Sequence, residues 1–446
     1  MDDLCSDSAS QILAYGGSSS QWVNPSLGQG RILYPLLFNI VVNGAAVSAK
    51  RACPGVALGP ELGAPRVSVL LYADDIVLLA ETAQELQDGL DVIAAWARRW
   101  RFTFSPGPEK SAVMVVSGPM QPELDYRLGS TVVPYVEHYP YLGVIFDHKG
   151  KWGPHVDHVT SRCDKRFAEC AAWALREKLD LQWCDNLFRS YSLPAFLHGS
   201  ELAAVVSRAV ALMNKSLRTR GRRLLRFPRG SPIAAVFGDL GWSDADALAL
   251  DRAAGLFGRL RCRALAASRS EIPGMVFRYA LRHRSSWACW AAASFGAAGA
   301  PSAQLSGVGP GAPLVVSRRW RRDAVLLALV SASHRRFLES TRSVASLSAY
   351  LGAQPLPRLQ TAVHNRRVPA TDARFRGLAR CGHHVFADGR ISRHLVASSR
   401  CLLCGAPDGS LNHLLASCPA CRDLRVLWCR RTGTSLCDAV QLVAEP

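Results

Sequence analysis

No run in this chain of 446 residues reaches the roughly 18 consecutive apolar positions that a membrane-spanning helix requires, so no membrane partner is expected. The start, Met1-Asp-Asp-Leu-Cys-Ser-Asp7, is acidic where a secretory signal peptide is basic, which favours an intracellular protein. No period recurs that would mark a repeat protein. Acidic residues are scarce: 35 Asp and Glu stand against 53 Lys and Arg, a net charge of +18. Such a field draws polyanions and makes nucleic acid the expected partner. Apolar residues are not scarce. At 49% hydrophobic the chain can bury real cores, and its length suits roughly two to four domains. In an intracellular chain the 14 cysteines are ordinarily reduced thiols, so they matter where they cluster, as metal ligands.

The pattern of the first third is α+β. Short β-type runs at Val67 to Leu71, Ile76 to Ala80, Ala112 to Val116 and Tyr141 to Phe146 alternate with helical sequence. One helix is well marked: Thr82-Ala-Gln-Glu85 is a capping box, and Leu86, Leu90, Ile93, Ala97 and Trp100 then recur at helical spacing as one buried face. From Val156 the pattern turns helical and ends in the basic stretch Lys215 to Arg229. Ser294 to Pro313 is rich in Gly, Ala, Pro and Ser, uncharged and without period, which reads as a flexible linker. Beyond it come Arg318 to Arg322 (RRWRR), further helical sequence and a tail dense in Cys and His. The boundaries fall at residues 1–155, 156–230, 231–293 (a helical connection), 294–313 (the linker), 314–395 (basic and helical), 396–425 and 426–446.

Asp74 and Asp75 interrupt the apolar run VSVLLYADDIVLLAET. Strands on either side would put both carboxylates at the tip of a β-hairpin, where their repulsion is costly unless a cation sits there. Hard oxygen ligands suit Mg²⁺ (or Mn²⁺), and two such ions can activate a 3′-hydroxyl and stabilise leaving pyrophosphate. The bland alternative is a solvated Asp-Asp turn. Near the end, Cys401-x2-Cys404-x8-His413-x4-Cys418 has the spacing of a closed, structural Zn²⁺ site, with Cys421 competing with Cys418 for the fourth position. Trp287 and Trp290 read as packing residues, and His138, His148 and His155 suggest no catalysis.

Several motifs occur in one order: Gln29-Gly30, Pro35-Leu-Leu-Phe38, Tyr72-Ala-Asp-Asp75, Lys110, Tyr141-Leu142-Gly143, then Tyr191, Pro194 and His198-Gly-Ser-Glu201. In this set the chain resembles the reverse transcriptases of non-LTR (LINE-type) retrotransposons, over roughly Ser26 to Arg229. The resemblance implies a partial polymerase palm over 1–155 and a thumb over 156–230. It makes Asp74 and Asp75 the catalytic metal ligands, and sets Tyr72, Gln29, Gly30 and Lys110 beside nucleotide and template. Tyr141 to Gly143 become the primer grip. Lys215, Arg218, Arg220, Arg222, Arg223 and Arg226 become phosphate contacts to duplex, which carry no sequence choice. The implied partners are an RNA template, a DNA primer or target and deoxynucleoside triphosphates, in the nucleus. Cysteine knuckles also follow the polymerase in such elements, which makes residues 396–425 a CCHC zinc knuckle.

The family also needs a further aspartate, on a strand upstream of Gln29, and fingers before it. Only 28 residues precede Gln29, with Asp2, Asp3 and Asp7 but no strand-like setting. The expectation is a chain that begins inside the palm. Arg31, Tyr34 and Ser105 replace smaller or different family residues. Two functions remain open at this point: a template-directed RNA-dependent DNA polymerase, and a non-catalytic remnant that still binds RNA or DNA through thumb and knuckle.

Overall fold

The computed structural model describes residues 13–14, 17–18, 34–59, 64–116, 125–177, 179–265, 272–284, 286–301, 325–344, 347, 378, 400–410 and 413–432. It is a mixture of helices and small two-stranded sheets, divided into two units, Met1–Tyr139 and Pro140–Pro446.

In the first unit, helix α1 (Tyr34–Ala52) packs on helix α2 (Ala83–Trp100). Small side chains on α1 permit a close approach: Ala45, Ala46 and Ala49 are buried, and a Cβ at Gly44 would lie 3.3 Å from Nε1 of Trp96. The Thr82 cap forms, with the reciprocal Glu85 bond displaced one residue upstream of the cap. Thr82 Oγ1 accepts from Glu85 N at 3.2 Å, and the Glu85 carboxylate accepts from the Glu81 amide. The buried face of α2 is Gly89, Ile93, Ala94, Trp96 and Ala97. Trp100 is not on it and is 45% exposed, because Trp96 takes the apolar place against α1 and the helix closes at Arg101 in the left-handed region. Against the helices lies a hairpin of β1 (Val69–Tyr72) and β2 (Asp75–Leu78), with Val69 paired to Leu78 and Tyr72 to Asp75. Val69, Ile76 and Leu78 face the helices and so fix the register. The expected strand at Ala112 to Val116 is reduced to one parallel bridge from Val113 to Tyr135. Pro134 accepts from Val113 N but has no amide to extend the ladder.

Among the described residues the second unit is helical apart from the hairpin strands β3 (His138–Tyr141) and β4 (Val144–Asp147) at its start, the division falling inside β3. Helix α3 (Gly153–Arg176) and helix α4 (Ser207–Leu224) enclose a core of Phe188, Phe196, Met213, Leu217 and Trp242. Phe257, Phe277 and Phe295 centre a second core. Phe295 lies on helix α5 (Trp287–Ala298), which contradicts a linker beginning at Ser294. Alanine favours helix, Ser286 caps the start by accepting from Cys289 N, and Gly299 ends it at φ 104. Its buried stripe is Ala288, Ala291, Phe295 and Ala298, at helical spacing, and its outer face carries small uncharged residues such as Ala293 and Ala297 in place of charged ones. Residues 302–324, with the remainder of the expected linker and the RRWRR cluster, lie outside the described residues. Trp287 and Trp290 are packing residues, as expected from the sequence.

Candidate active site and metal centre

The link between β1 and β2 is two residues, Ala73 and Asp74. Such tight links match strand twist when the first residue has positive φ, and Ala73 has φ 53. Asp74 therefore stands in the turn and Asp75 opens β2 opposite Tyr72, all three exposed. Among the described residues neither carboxylate has an ion-pair partner, and no third acidic, histidine or cysteine ligand joins them. Two adjacent carboxylates without a protein cation fit a hard divalent ion that draws its remaining ligands from water or substrate phosphate. Lys110 is exposed in a turn closed onto Gly107, and its carbonyl accepts from the Tyr139 hydroxyl at 2.9 Å. Burial first, and then the Asp75 charge, push the Tyr139 phenol above its ordinary value. Tyr139 thus borders both the lysine turn and the acidic tip, a role with no sequence signal beyond its place beside Tyr141-Leu-Gly. Gln29 and Gly30 lie outside the described residues.

The turn of the second hairpin, Leu142-Gly143, has positive φ at both positions, 50 and 78. Tyr141 is half-buried and Leu142 exposed. Three hydrogen bonds run from this hairpin through His155 and His198 and back to it. Ile145 N donates to His155 Nδ1 at 3.2 Å, His155 Nε2 bonds the His198 carbonyl at 2.9 Å, and His198 Nε2 bonds the Leu142 carbonyl at 2.9 Å. His155 is fully buried, and that burial first of all holds its pKa below the ordinary value. Sequence reasoning gave His155 no role.

The basic stretch divides. Lys215, Arg218, Arg223 and Arg226 are exposed, while Arg222 is half-buried and donates twice to the Ser231 carbonyl. Arg220 is no phosphate contact: it is 1% exposed, pairs with Asp164 at 3.0 Å, donates to Thr160 O and lies over the Phe196 ring. Helical spacing explains this, since Met213, Leu217 and Arg220 fall on the one stripe of α4 that faces the core.

Cys401, Cys404, His413 and Cys418 converge, their ligand atoms all within 4.8 Å of one another. Gly405 at φ 76 closes the first knuckle, its amide bonded to Cys401 O, and Cys418 N caps His413 O at 2.7 Å. Sγ of Cys401 and Cys418 are 3.9 Å apart, near the roughly 3.8 Å edge of a tetrahedron with metal–sulfur bonds of about 2.3 Å. Cys404 Sγ lies 3.2 Å from His413 Nε2, and Ser417 Oγ contacts Nδ1, leaving Nε2 for a metal. Burial opposes the Cys401 thiolate, yet the Cys404 and Leu403 amides and the neighbouring thiols draw the thiol down to about 6. The geometry includes Cys418 in the set. Cys421 lies outside that set but beside it, its thiol and its amide both bonded to Cys418.

Residues 15–146 match the family described as reverse transcriptase (RNA-dependent DNA polymerase), a segment that contains the acidic tip, Lys110 and the Leu142-Gly143 turn. Relatives extend the likeness. The chain is homologous to the Pol polyprotein of the type-1 retrotransposable element R2 of Nasonia vitripennis, 26% identical over 226 residues, 48% of this chain and 21% of that protein. It is similar to the R2 polyprotein of Popillia japonica, 26% over 255 residues, 54% of this chain and 34% of that one. It is also similar to a probable RNA-directed DNA polymerase from transposon BS of Drosophila melanogaster, 26% over 204 residues, 43% of this chain and 21% of that protein. The chain thus spans between 21% and 34% of the length of these relatives.

Proposed function

We propose that this chain is a segment of a non-LTR retrotransposon reverse transcriptase that adds deoxynucleotides to a primer 3′-hydroxyl on an RNA template. The observation that carries the reading is the pair of unpartnered carboxylates, Asp74 and Asp75, at the tip of a tight hairpin inside the segment that matches the reverse transcriptase family. Bound there, divalent metal would supply activation of the 3′-hydroxyl and stabilisation of pyrophosphate. The chain's own part is positional. Ala73, at positive φ, aims the acids outward, Tyr72 flanks them beside primer and nucleotide, and Tyr139 holds the turn that offers Lys110 to the triphosphate. The turn Leu142-Gly143 serves as primer grip. The exposed cations Lys215, Arg218, Arg223 and Arg226 hold template–primer duplex by its phosphates. A protein that primes on chromosomal DNA acts in the nucleus. Cys401, Cys404, His413 and Cys418 would hold Zn²⁺ in a structural knuckle, a fit supported by their donor chemistry and convergence.

A second reading has its own observation: among the described residues no third carboxylate joins Asp74 and Asp75. On that reading the chain binds RNA or DNA without synthesis. Incorporation of labelled deoxynucleotides on a primed RNA template with Mg²⁺ or Mn²⁺, beside an Asp74→Asn, Asp75→Asn control, separates the two. Synthesis lost in the control supports the polymerase. Binding without synthesis by the wild type supports the remnant.

A further inference from the structure

A two-residue turn with positive φ at both positions suits glycine, and a leucine there is strained. Leu142 accepts that position, at φ 50, with its side chain exposed rather than anchored in a core. What holds it is a chain of two histidines. The backbone N–H of Ile145 faces Nδ1 of His155, so Nδ1 accepts and the single ring proton sits on Nε2, which donates to the His198 carbonyl. His198 Nε2 faces a carbonyl in turn and therefore donates to Leu142 O. The relay begins and ends on one hairpin, at both sides of its turn.

Space is as constrained as the hydrogen bonds. A Cβ at Gly143 would lie 2.9 Å from His198 Nε2, and one at Gly199 would lie 2.5 Å from His155 Nε2. Both glycines also have positive φ, 78 and 71. Aromatic contacts continue the clamp from Tyr141 to Phe146, Trp152 and His155, each ring pair between 5.8 and 6.5 Å. Such a network leaves the turn one position.

Resting on the polymerase reading above, we propose that His155 and His198 are positioning residues that hold the Leu142-Gly143 turn in a preset shape for the primer 3′ end. They touch no substrate themselves. Their effect is on where the terminal hydroxyl lies, and misplacement by about 1 Å can slow chemistry on the order of a hundredfold. Affinity for duplex comes from phosphate contacts elsewhere and stays unchanged.

The test is single-turnover primer extension by the wild-type chain, His198→Ala and His198→Gln, with primer–template Kd measured beside it. His198→Ala should slow the rate constant about ten- to hundredfold while Kd moves less than about twofold. His198→Gln, which keeps a donor at the Nε position, should recover most of the rate. A loss of folded protein lowers only the reaction amplitude, so a change in amplitude alone overturns the positioning role. So does a glutamine variant no faster than the alanine one. Hydrogen exchange over residues 138–147 reads the anchoring without any synthesis: His198→Ala should exchange about fivefold faster, as the loss of one such bond implies. Unchanged exchange overturns the relay itself. No extension by the wild type, with exchange still faster in His198→Ala, overturns the polymerase reading and the primer role with it, and marks that failure as distinct from a failure of the relay.

Discussion

Two hairpins in this chain have tight two-residue turns and opposite designs. The turn at Ala73-Asp74 leaves its polar side chains in solvent, with no ion-pair partner among the described residues. The turn at Leu142-Gly143 has its backbone tied from behind by two histidines. The first presents charge and takes its shape from apolar strand residues alone, with Val69, Ile76 and Leu78 against the helices. The second presents little chemistry and is held by polar contacts on both sides. One turn leaves its carboxylates free of protein partners, whereas the other spends hydrogen bonds on holding its backbone.

The largest effect should break the first hairpin's chemistry without touching its fold. The Asp74→Asn, Asp75→Asn variant should lose primer extension by roughly a thousandfold, the several kcal/mol a metal contributes, while thermal unfolding shows equal or slightly higher stability because the repulsion is gone. In the second hairpin the opposite holds. Gly143→Ala should destabilise its unit by about 2 kcal/mol in denaturant unfolding, from strain at φ 78 and the clash with His198. Acid should also distinguish them. His155 is kept neutral by burial first, against the pull of the His198 carbonyl and of Glu201 and with help from His158 and His198; His158 is lowered by burial, Arg162 and His198. The unfolded chain takes up protons near 6.5 where the folded one resists, so this stabilisation is complete above about pH 6.5 and is lost as pH falls below it. Relative to the intrinsic amide rate at each pH, protection at residues 138–147 should fall below that pH and protection at 69–78 should not. The smallest effect is Ala73→Gly, which relieves the left-handed alanine and should stabilise the first hairpin by about 0.5–1 kcal/mol.

What could be read from the sequence was local. The acidic tip, the capping box on Thr82 and the Cys401, Cys404, His413, Cys418 spacing each lie within a short window, where residue order and geometry are nearly the same thing. Contacts between distant segments could not be read. His155 meets His198 across 43 positions, and Tyr139 reaches Lys110 across 29. Arg220 was misread for a related reason: in a run of arginines, only the helical phase set by Met213 and Leu217 shows which one turns inward. The uncharged alanines of α5 were misread because an Ala- and Gly-rich composition hides the apolar stripe of Ala288, Ala291, Phe295 and Ala298, whose period only the fold reveals.

The inward turn of Arg220 also limits how many counterions this surface can release. Its charge is already spent on Asp164, and Arg222 is half-buried against the Ser231 carbonyl, so of that stretch Lys215, Arg218, Arg223, Arg226 and Arg229 are the exposed cations left to displace sodium or potassium from a nucleic acid. If this face dominates binding, log K against log salt should fall with a slope of about −4 to −5, far shallower than the net charge of +18 suggests. Arg218→Ala should make it shallower by about one unit, and a titration from low to physiological ionic strength reads both.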